Sequence, residues 1–375
     1  MLTNRPKILF CMHMPPPVHG AAVVGQQIYD SELIRQQFEC SYINVSTSAS
    51  LNDVGLFSVA KLIRTVAFYR HLLKALREQK PDLVYFTPST AGWAFYRDAI
   101  TVHLLKSRGQ NIVLHFHNKS SDAYVNRWYN KLVWERFFNG VYAIFLGYAL
   151  AKQFEEYTVK SRKIFICPNG MPDSDKVEYG RLMHSPRDRK PYTFLFLSNM
   201  IETKGVYVLL EACALLKKRG YSFRCDFVGQ WFDVTQEAFK AKCVQLGVED
   251  YVMAYGAKYG AEKECFWQDA DAFVFPTYYP SECFPLVLIE AMRCALPILS
   301  TDEAAIPEII ENGKTGWLIE KQNAQELANK MEWTITHPTE SEQMGRAGRL
   351  KFEQNYTLAH FEKRLSEILT DCGKC

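Results

Sequence analysis

The feature that most constrains this sequence is a regular alternation of short apolar runs with longer segments of helical periodicity. The first half has six runs rich in β-branched and aromatic residues: Lys7–Met12, Tyr42–Val45, Leu83–Thr87, Asn111–His117, Tyr142–Gly147 and Lys163–Cys167. Segments with helical spacing of apolar residues lie between most of them, notably Gly20–Glu39, Ser58–Gln79 and Ser121–Phe138. This alternation is typical of βαβ units, which build a parallel sheet covered by helices on both faces.

The alternation stops at a polar stretch and then begins again. Residues 168–193 are crowded with Pro, Gly, Asp, Arg and Lys, which predicts a linker. Further strands are predicted at Phe194–Ser198, Phe223–Val228, Ala272–Pro276, Pro297–Ser300 and Gly316–Ile319, with helices at Lys204–Arg219, Thr235–Leu246, Pro285–Ala295 and Ala324–Trp333. From residue 340 the sequence predicts two helices joined near Asn355–Thr357.

A chain of 375 residues is long enough for two domains. We therefore predict an α/β protein with two Rossmann-like, doubly wound domains that face a central cleft. Their expected bounds are residues 1–170 and 191–355, with a linker at 171–190.

Composition and charge limit the class of protein. No signal peptide is evident, and the longest apolar stretch, Phe137–Leu150, has 14 residues, too few to cross a bilayer. Eleven cysteines, many in apolar runs, favour reduced thiols and a cytoplasmic location. Residues 1–170 carry a net charge of +9 and the remainder −6, which suggests an anionic partner for the first half. No nucleic-acid-binding module is recognisable.

Two loops of the first half follow predicted strands, where doubly wound sheets bind their ligands. Gly20 and Ala21 open a helix directly after the first strand, and a helix N-terminus with small residues suits a phosphate group. A rigid proline turn is the alternative interpretation. His115 and His117 share one face of a strand, and His117, at its carboxyl end, is placed to reach the cleft. Burial in the core is the alternative for both rings.

Two loops of the second half carry the strongest candidates. Lys204 stands at the start of a helix, where the helix dipole disfavours a positive charge. An anion beside Lys204 would explain a lysine at this position. Glu282 lies in a turn after a strand, and Glu290 lies among apolar residues of the helix that follows. The alternatives are a solvated lysine and two unrelated surface carboxylates.

No metal site is predicted. The spacings typical of zinc sites are missing, and the D-x-D stretches at 173–175 and 269–271 are interpreted as a linker and a helix-to-strand junction. Neither a G-x-x-x-x-G-K loop nor a G-x-S-x-G elbow occurs.

Taken together, these stretches resemble the retaining GT-B glycosyltransferases of family 4. The resemblance rests on Cys167–Gly170, Lys204–Gly205, the E-x7-E pair Glu282 and Glu290, Ile306–Ile310 with Asn312–Gly316, and Met344–Gly345 with Gly348–Arg349. It is dense from about residue 163 to 355. It implies that the second domain holds a nucleotide sugar, and that the last helix, about 356–371, packs back on the first domain.

The resemblance also implies roles for residues. Lys204, Glu282 and His117 would be catalytic; the donor-binding residues would be Gly20, Ala21, Asn199, Lys204, Glu282, Cys283, Phe284, Pro285, Leu286 and Glu290. It implies no metal and no cofactor other than the donor. The sequence departs from the family pattern at Asn199 (usually arginine), Pro285 (usually glycine), Ala21 and Ala304–Ala305 (usually glycine).

The function implied is transfer of a sugar, with retention, to a saccharide or lipid-linked acceptor in cell-surface polysaccharide assembly. Same-face attack is preferred to a double displacement with Glu282 as nucleophile. Residues 54–77 hold five Lys and Arg, no Asp or Glu, and apolar residues at helical spacing (Leu62, Ile63, Val66, Ala67, Leu72, Leu73 and Leu76); they predict a helix that lies on an anionic membrane. A helix packed on its own sheet is the alternative. A sugar-nucleotide epimerase and a non-catalytic nucleotide-sugar-binding protein remain alternative functions.

Overall fold

A computed structural model of the chain describes residues 5–16, 19–46, 59–173 and 191–373. The chain divides into two compact units, one formed by Met1–Gly170 with Leu358–Cys375 and the other by Met171–Thr357. Residues 174–190 of the predicted linker lie outside the described residues. The last helix thus belongs to the same unit as the first half of the chain.

The first unit contains a six-stranded sheet in which every pairing is parallel. Its strands are β1 (Lys7–Met12), β2 (Glu39–Asn44), β3 (Leu83–Phe86), β4 (Ile112–Phe116), β5 (Tyr142–Phe145) and β6 (Lys163–Ile166), in the order β2-β1-β3-β4-β5-β6. The order reverses between β1 and β3, so the switch point of this sheet lies at their carboxyl ends.

The helices of the first unit cover both faces of this sheet. They are α1 (Gly20–Asp30), α2 (Glu32–Gln37), α3 (Val59–Gln79), α4 (Gly92–Ser107), α5 (Asp122–Val125), α6 (Trp128–Phe138), α7 (Tyr148–Lys152), α8 (Glu155–Thr158) and α16 (Leu358–Gly373). Phe10 and Tyr85 pack in a core with Ile28 of α1 and Leu365 of α16. On the other face, the Phe116 ring contacts Phe138 of α6 with centroids 5.4 Å apart.

Two predicted helical segments each form two helices: Ser121–Phe138 forms α5 and α6, and Gly20–Glu39 forms α1 and α2. The segment predicted as Gly20–Glu39 breaks at Ser31, whose backbone is extended and whose Oγ accepts a hydrogen bond from the Ile34 amide at 3.3 Å. Serine competes with a continuous helix in this way because its hydroxyl satisfies an amide at a helix start. The prediction of a single helix over Gly20–Glu39 was wrong for that reason.

The helix α3 also corrects part of the membrane interpretation. Leu72 and Leu76 are 0% and 8% exposed and belong to the core, together with Phe68. These two leucines therefore do not provide an apolar surface for a membrane. Residues 54–58 of that prediction lie outside the described residues.

The second unit repeats the plan with another all-parallel sheet. Its strands are β7 (Tyr192–Leu197), β8 (Phe223–Val228), β9 (Val252–Ala254), β10 (Ala272–Phe275), β11 (Ile298–Thr301) and β12 (Gly316–Ile319), in the order β12-β11-β10-β7-β8-β9. Its helices are α9 (Val206–Lys218), α10 (Gln236–Leu246), α11 (Gly260–Asp269), α12 (Leu286–Arg293), α13 (Ile306–Ile309), α14 (Ala324–Thr336) and α15 (Pro338–Asn355). The order reverses between β7 and β10, which places the switch point at the loops after these two strands.

Candidate functional site

The loop after β7 brings Lys204 to the switch point of the second unit. A short 3-10 turn, Glu202–Lys204, precedes α9, and Gly205 joins them with a φ of +90°. A Cβ at Gly205 would lie 2.3 Å from the carbonyl oxygen of Pro276, so only glycine fits. The Tyr278 amide donates to the Thr203 carbonyl at 2.8 Å, which ties this loop to the loop after β10.

Lys204 and Glu282 form an ion pair in these two loops. Lys204 Nζ lies 2.5 Å from Glu282 Oε2, and their side chains are 13% and 8% exposed. Thr277 Oγ1 donates to the same carboxylate oxygen at 3.3 Å, and the ammonium lies 4.5 Å from the centre of the Tyr279 ring. The sequence predicted an anion beside Lys204; within the protein itself, that anion is the Glu282 carboxylate.

The residues after Glu282 form the entrance to α12. Cys283 and Phe284 are buried, and the Cys283 carbonyl accepts a hydrogen bond from the Ala305 amide at 3.2 Å. Pro285 is the N-cap of α12 and has no N–H to offer, whereas Leu286 begins the helix. Ala304 adopts a φ of +51°, so the backbone conformation that glycine favours is kept although the residue is alanine.

Glu290 makes a separate ion pair. It is 6% exposed, and its Oε1 lies 2.7 Å from Nζ of Lys263 on α11. Its Oε2 is buried and has no hydrogen-bond partner among the described residues. A buried carboxylate oxygen without a donor costs free energy, so a ligand that brings hydroxyl donors is favoured at this position.

Asn199 lies at the start of the Lys204 loop and is half-buried. Its carbonyl accepts from the Ile201 amide at 2.8 Å, and the next amide, of Met200, donates to the Gln230 carbonyl at 2.8 Å. The loop after β7 is thereby fixed to the loop after β8 as well.

In the first unit, Gly20 begins α1 next to the carboxyl end of β1. The N-cap residue His19 accepts a hydrogen bond from the Ala22 amide at 3.4 Å through Nδ1. Gly20 is exposed, Ala21 is half-buried, and no atom would lie within 4 Å of a Cβ at Gly20. This helix start is therefore open to an approaching group within its own unit.

His115 and His117 lie together at the end of β4, with ring centroids 4.1 Å apart. His115 is fully buried, and its Nδ1 lies 2.6 Å from the Tyr85 hydroxyl, as expected for a core histidine. His117 is half-buried, and its Nδ1 has no partner within the described ranges. Burial, together with the nearby His19, lowers the pKa of His117 to about 3, so the ring is neutral at pH 7.

The structure thus brings together Lys204 and Glu282, and places Glu290 in its own ion pair on α12. Three further residues contact these side chains and were not predicted from the sequence: Thr277, Tyr279 and Lys263. Thr277 and Tyr279 stand within the same loop as Glu282 and could have been found by proximity. Lys263 is 27 residues before Glu290, and nothing in the sequence connects them.

The described residues contain neither a metal-binding cluster nor a membrane-spanning helix. No group of three or more His, Cys, Asp or Glu side chains in these ranges is arranged to hold a metal ion. Across the same parts of the chain, no helix combines the length and apolar character needed to span a membrane.

Two sequence-family models match the chain. "Glycosyl transferases group 1" matches residues 184–351, and "Glycosyltransferase Family 4" matches residues 35–175. A putative colanic acid biosynthesis glycosyltransferase, WcaL of Salmonella typhimurium, is 32% identical over 187 residues, covering 48% of this chain and 45% of that protein. The amylovoran biosynthesis glycosyltransferase AmsK of Erwinia amylovora is 29% identical over 48% of this chain and 45% of its own length. The chain spans about half the length of these curated relatives.

Solved structures share the fold over almost the whole chain. Sucrose-phosphate synthase from Thermosynechococcus elongatus has a TM-score of 0.75 at 16% identity and covers 98% of both chains. HepE of Anabaena, solved in complex with UDP, has a TM-score of 0.71 at 18% identity over 97% of this chain and 100% of that one.

Proposed function

We propose a function from the premise that this chain belongs to glycosyltransferase family 4 and has the α/β two-domain fold of the GT-B glycosyltransferases. In this proposal, the chain transfers a sugar from a nucleotide-diphosphate donor to a saccharide or lipid-linked acceptor. The names of its relatives support a place in polysaccharide assembly. A UDP-bound structural neighbour supports a nucleotide-diphosphate donor.

The observation that carries the proposal is the Lys204–Glu282 pair at the switch point of the second unit. An ammonium group has three N–H donors, and Glu282 engages one of them. A donor diphosphate placed beside α9 would take the others, and Lys204 would stabilise the charge that develops as the glycosidic bond breaks. Glu282, relieved of part of its pairing, would accept hydrogen bonds from hydroxyls of the donor sugar.

The remaining donor-binding residues would act around this pair. Oε2 of Glu290 would accept from ribose hydroxyls, because it is buried and lacks a donor among the described residues. Amides of Cys283, Phe284 and Leu286 would meet the sugar or phosphate, while Pro285 offers none. Asn199 would give a neutral amide where the family pattern has a cation. In the first unit, Gly20 and Ala21 would present the N-terminus of α1 to phosphate.

We propose retention by same-face attack. The bond between the anomeric carbon and the diphosphate oxygen breaks, the acceptor oxygen bonds to the same face, and its proton passes to the leaving phosphate. Neutral His117 would hold the acceptor or the sugar by a hydrogen bond. Electrostatic stabilisation by Lys204 and peptide amides needs no metal, so we propose metal-independent catalysis, which activity in the presence of EDTA would test.

The central test is substitution of Lys204. Lys204→Ala should lower kcat at least about 100-fold, because it removes the charge that meets the leaving group. Turnover would be measured with the nucleotide sugar that raises Tm most in a thermal-shift screen. Lys258→Ala is the matched control, since Lys258 pairs with Glu262 at 3.5 Å rather than with Glu282. Turnover of Lys204→Ala within a few-fold of the native protein would refute the assignment.

Removing Lys204 leaves Glu282 buried without its ion-pair partner, which can cost about 3–5 kcal/mol. The double variant Lys204→Ala/Glu282→Gln removes both charges, and it should remain folded by circular dichroism yet inactive. Proton NMR of the new linkage gives its anomeric configuration; inversion relative to the donor would contradict retention.

A non-catalytic nucleotide-sugar-binding protein is the second candidate, because Asn199 removes one expected cation. It predicts donor binding with no turnover on any acceptor. Epimerisation of the donor in the absence of acceptor would instead indicate a sugar-nucleotide epimerase.

A further inference from the structure

Three helices of the first unit form one layer on its sheet. The Tyr69 hydroxyl of α3 donates to the Arg97 carbonyl of α4 at 2.9 Å. The Tyr96 hydroxyl of α4 donates to Asn130 Oδ1 of α6 at 2.7 Å, and the Phe95 and Trp134 rings are 4.1 Å apart. The outer face of this layer, meaning the side of α3, α4 and α6 turned away from the sheet, is therefore one continuous surface.

The outer face carries large apolar side chains on each helix. Ile63, Val66, Trp93, Ile100, Trp128 and Leu132 are 64%, 52%, 79%, 61%, 76% and 52% exposed, respectively. Within each helix the two residues are three, four or seven positions apart, so they fall on one side of it. A helix on the surface of a globular protein normally turns its polar side outward, so three neighbouring helices with exposed apolar residues indicate an interaction surface.

The charges on the outer face have one sign over most of its extent. Arg70 and Lys74 of α3 are exposed, and no acidic residue occurs on α3 before Glu78. The single acidic residue of α4, Asp98, is fully buried and pairs with Arg97 at 2.7 Å. Exposed carboxylates enter at Glu78 near the end of α3, at Asp122 on α5 and at Glu135 on α6.

Both exposed tryptophans lie in the first turns of their helices, and these turns are fixed to each other. The Tyr124 hydroxyl donates to the Gly92 carbonyl at 3.3 Å, and Asn130 Nδ2 donates to the Tyr124 carbonyl at 2.6 Å. The guanidinium of Arg127 lies 5.5 Å from the centre of the Tyr124 ring. Exposed indole rings next to cations form the combination that suits the headgroup region of a bilayer.

We propose that the outer face of α3, α4 and α6 docks the protein on an anionic lipid bilayer, with Trp93 and Trp128 inserted at headgroup depth. A second copy of the chain fits this face less well. In a symmetric dimer the same face of both copies would meet, and the cations of one copy would lie against the cations of the other. The proposal is independent of the glycosyltransferase assignment. It keeps Ile63 and Val66 of the helix predicted from the sequence and adds exposed residues of α4 and α6 in place of the buried Leu72 and Leu76.

The experiment is sedimentation of the full chain with vesicles of phosphatidylcholine alone and of phosphatidylcholine with 30% phosphatidylglycerol. The native protein should pellet with the anionic vesicles. Trp93→Ala/Trp128→Ala should weaken partitioning at least about ten-fold, and Arg70→Glu/Lys74→Glu should weaken it on anionic vesicles. Val244→Ala, on α10 of the second unit and 64% exposed in the native protein, is the matched control and should bind normally.

The depth at which Trp93 and Trp128 enter the bilayer is measured independently, by quenching of tryptophan fluorescence with lipids brominated on the acyl chain. Quenching should be lost in Trp93→Phe/Trp128→Phe, which keeps aromatic rings and binding. Equal pelleting of the native protein and Trp93→Ala/Trp128→Ala, or no lipid-dependent pelleting, overturns the proposal. So does a dimer in analytical ultracentrifugation that the alanine pair abolishes, since the face would then bind a second copy. Nucleotide-sugar binding by each variant shows separately whether the donor site is intact.

Discussion

Two buried carboxylates in the second unit differ in how fully they are satisfied. Glu282 Oε2 accepts from Lys204 and Thr277, whereas Glu290 pairs through Oε1 with Lys263 and leaves Oε2 without a donor in the described ranges. The lysine holds one oxygen of Glu290, and in our proposal the other, buried oxygen accepts a hydroxyl of the ligand. Lys263 is thus a positioning residue in our interpretation, acting on a ligand through Glu290.

This role predicts a loss of ribose discrimination. Lys263→Met should weaken binding of a ribonucleoside diphosphate by about ten-fold, since one charge-assisted hydrogen bond is worth about 1.5–3 kcal/mol and part of it is recovered by solvent. Binding of the 2′-deoxy analogue, measured by calorimetry, should change less. Lys258→Met serves as control because its pairing with Glu262 does not involve Glu290. An equal loss for both nucleotides would show that Lys263 acts only on stability.

At the scale of elements, the site depends on how closely two loops approach each other. Gly205 ends the turn that carries Lys204, and its α-carbon faces the carbonyl of Pro276 at the end of β10. This contact keeps the loop after β7 against the loop that carries Glu282. The short strands themselves only bring the two loops to the same edge of the sheet.

Gly205→Ala should therefore damage both stability and donor binding. A positive φ costs an L-residue about 1–2 kcal/mol, and the added methyl group would lie 2.3 Å from Pro276 O. Urea unfolding should show a loss larger than this conformational cost alone.

The matched control is Gly220→Ala, which has a φ of +85° but no atom within 4 Å of the new Cβ. It should lose only the conformational cost and retain donor binding. If both variants lost the same stability, the contact between the loops would not matter.

At the scale of the whole molecule, two half-buried histidines make stability depend on pH. Burial, followed by the nearby His19, Arg97 and His117, lowers the pKa of His13 to about 3, and burial lowers that of His117 to about 3. Unfolding restores ordinary pKa values near 6.5, so at pH 5 the unfolded chain binds protons that the folded protein does not. Stability is therefore full above pH 6.5 and falls as the pH decreases toward 3.

Between pH 6.5 and 5 the loss should reach at most about 2 kcal/mol for each of these rings. Urea unfolding of His117→Gln across this range should give a shallower dependence than the native protein. Substitution of the exposed His103 by Gln should leave the slope unchanged. A native protein equally stable at pH 5 and 7 would contradict the assignment of neutral His13 and His117 rings.

The sequence by itself determined the fold class and most of the elements, because period-two and helical spacing are local and strongly repeated. Of the twelve strands in the described residues, it predicted eleven; β9 has three residues, Val252–Ala254, too few to show a pattern. It also failed at Ser31, where one side-chain hydrogen bond starts a second helix, and at Leu72 and Leu76, whose burial depends on the neighbouring sheet.

The positions of Lys204, Glu282 and Glu290 could also be predicted from local patterns in the sequence, since each residue follows a strand or lies on the next helix. Only the tertiary structure decided their partners. Lys204 and Glu282 are 78 positions apart in the chain, and Lys263 and Glu290 are 27 positions apart. The parallel strand order brings the residues of these pairs to one edge of the sheet. Spacing along the chain does not encode such distances; the order of strands in the sheet and the packing of helices on it do.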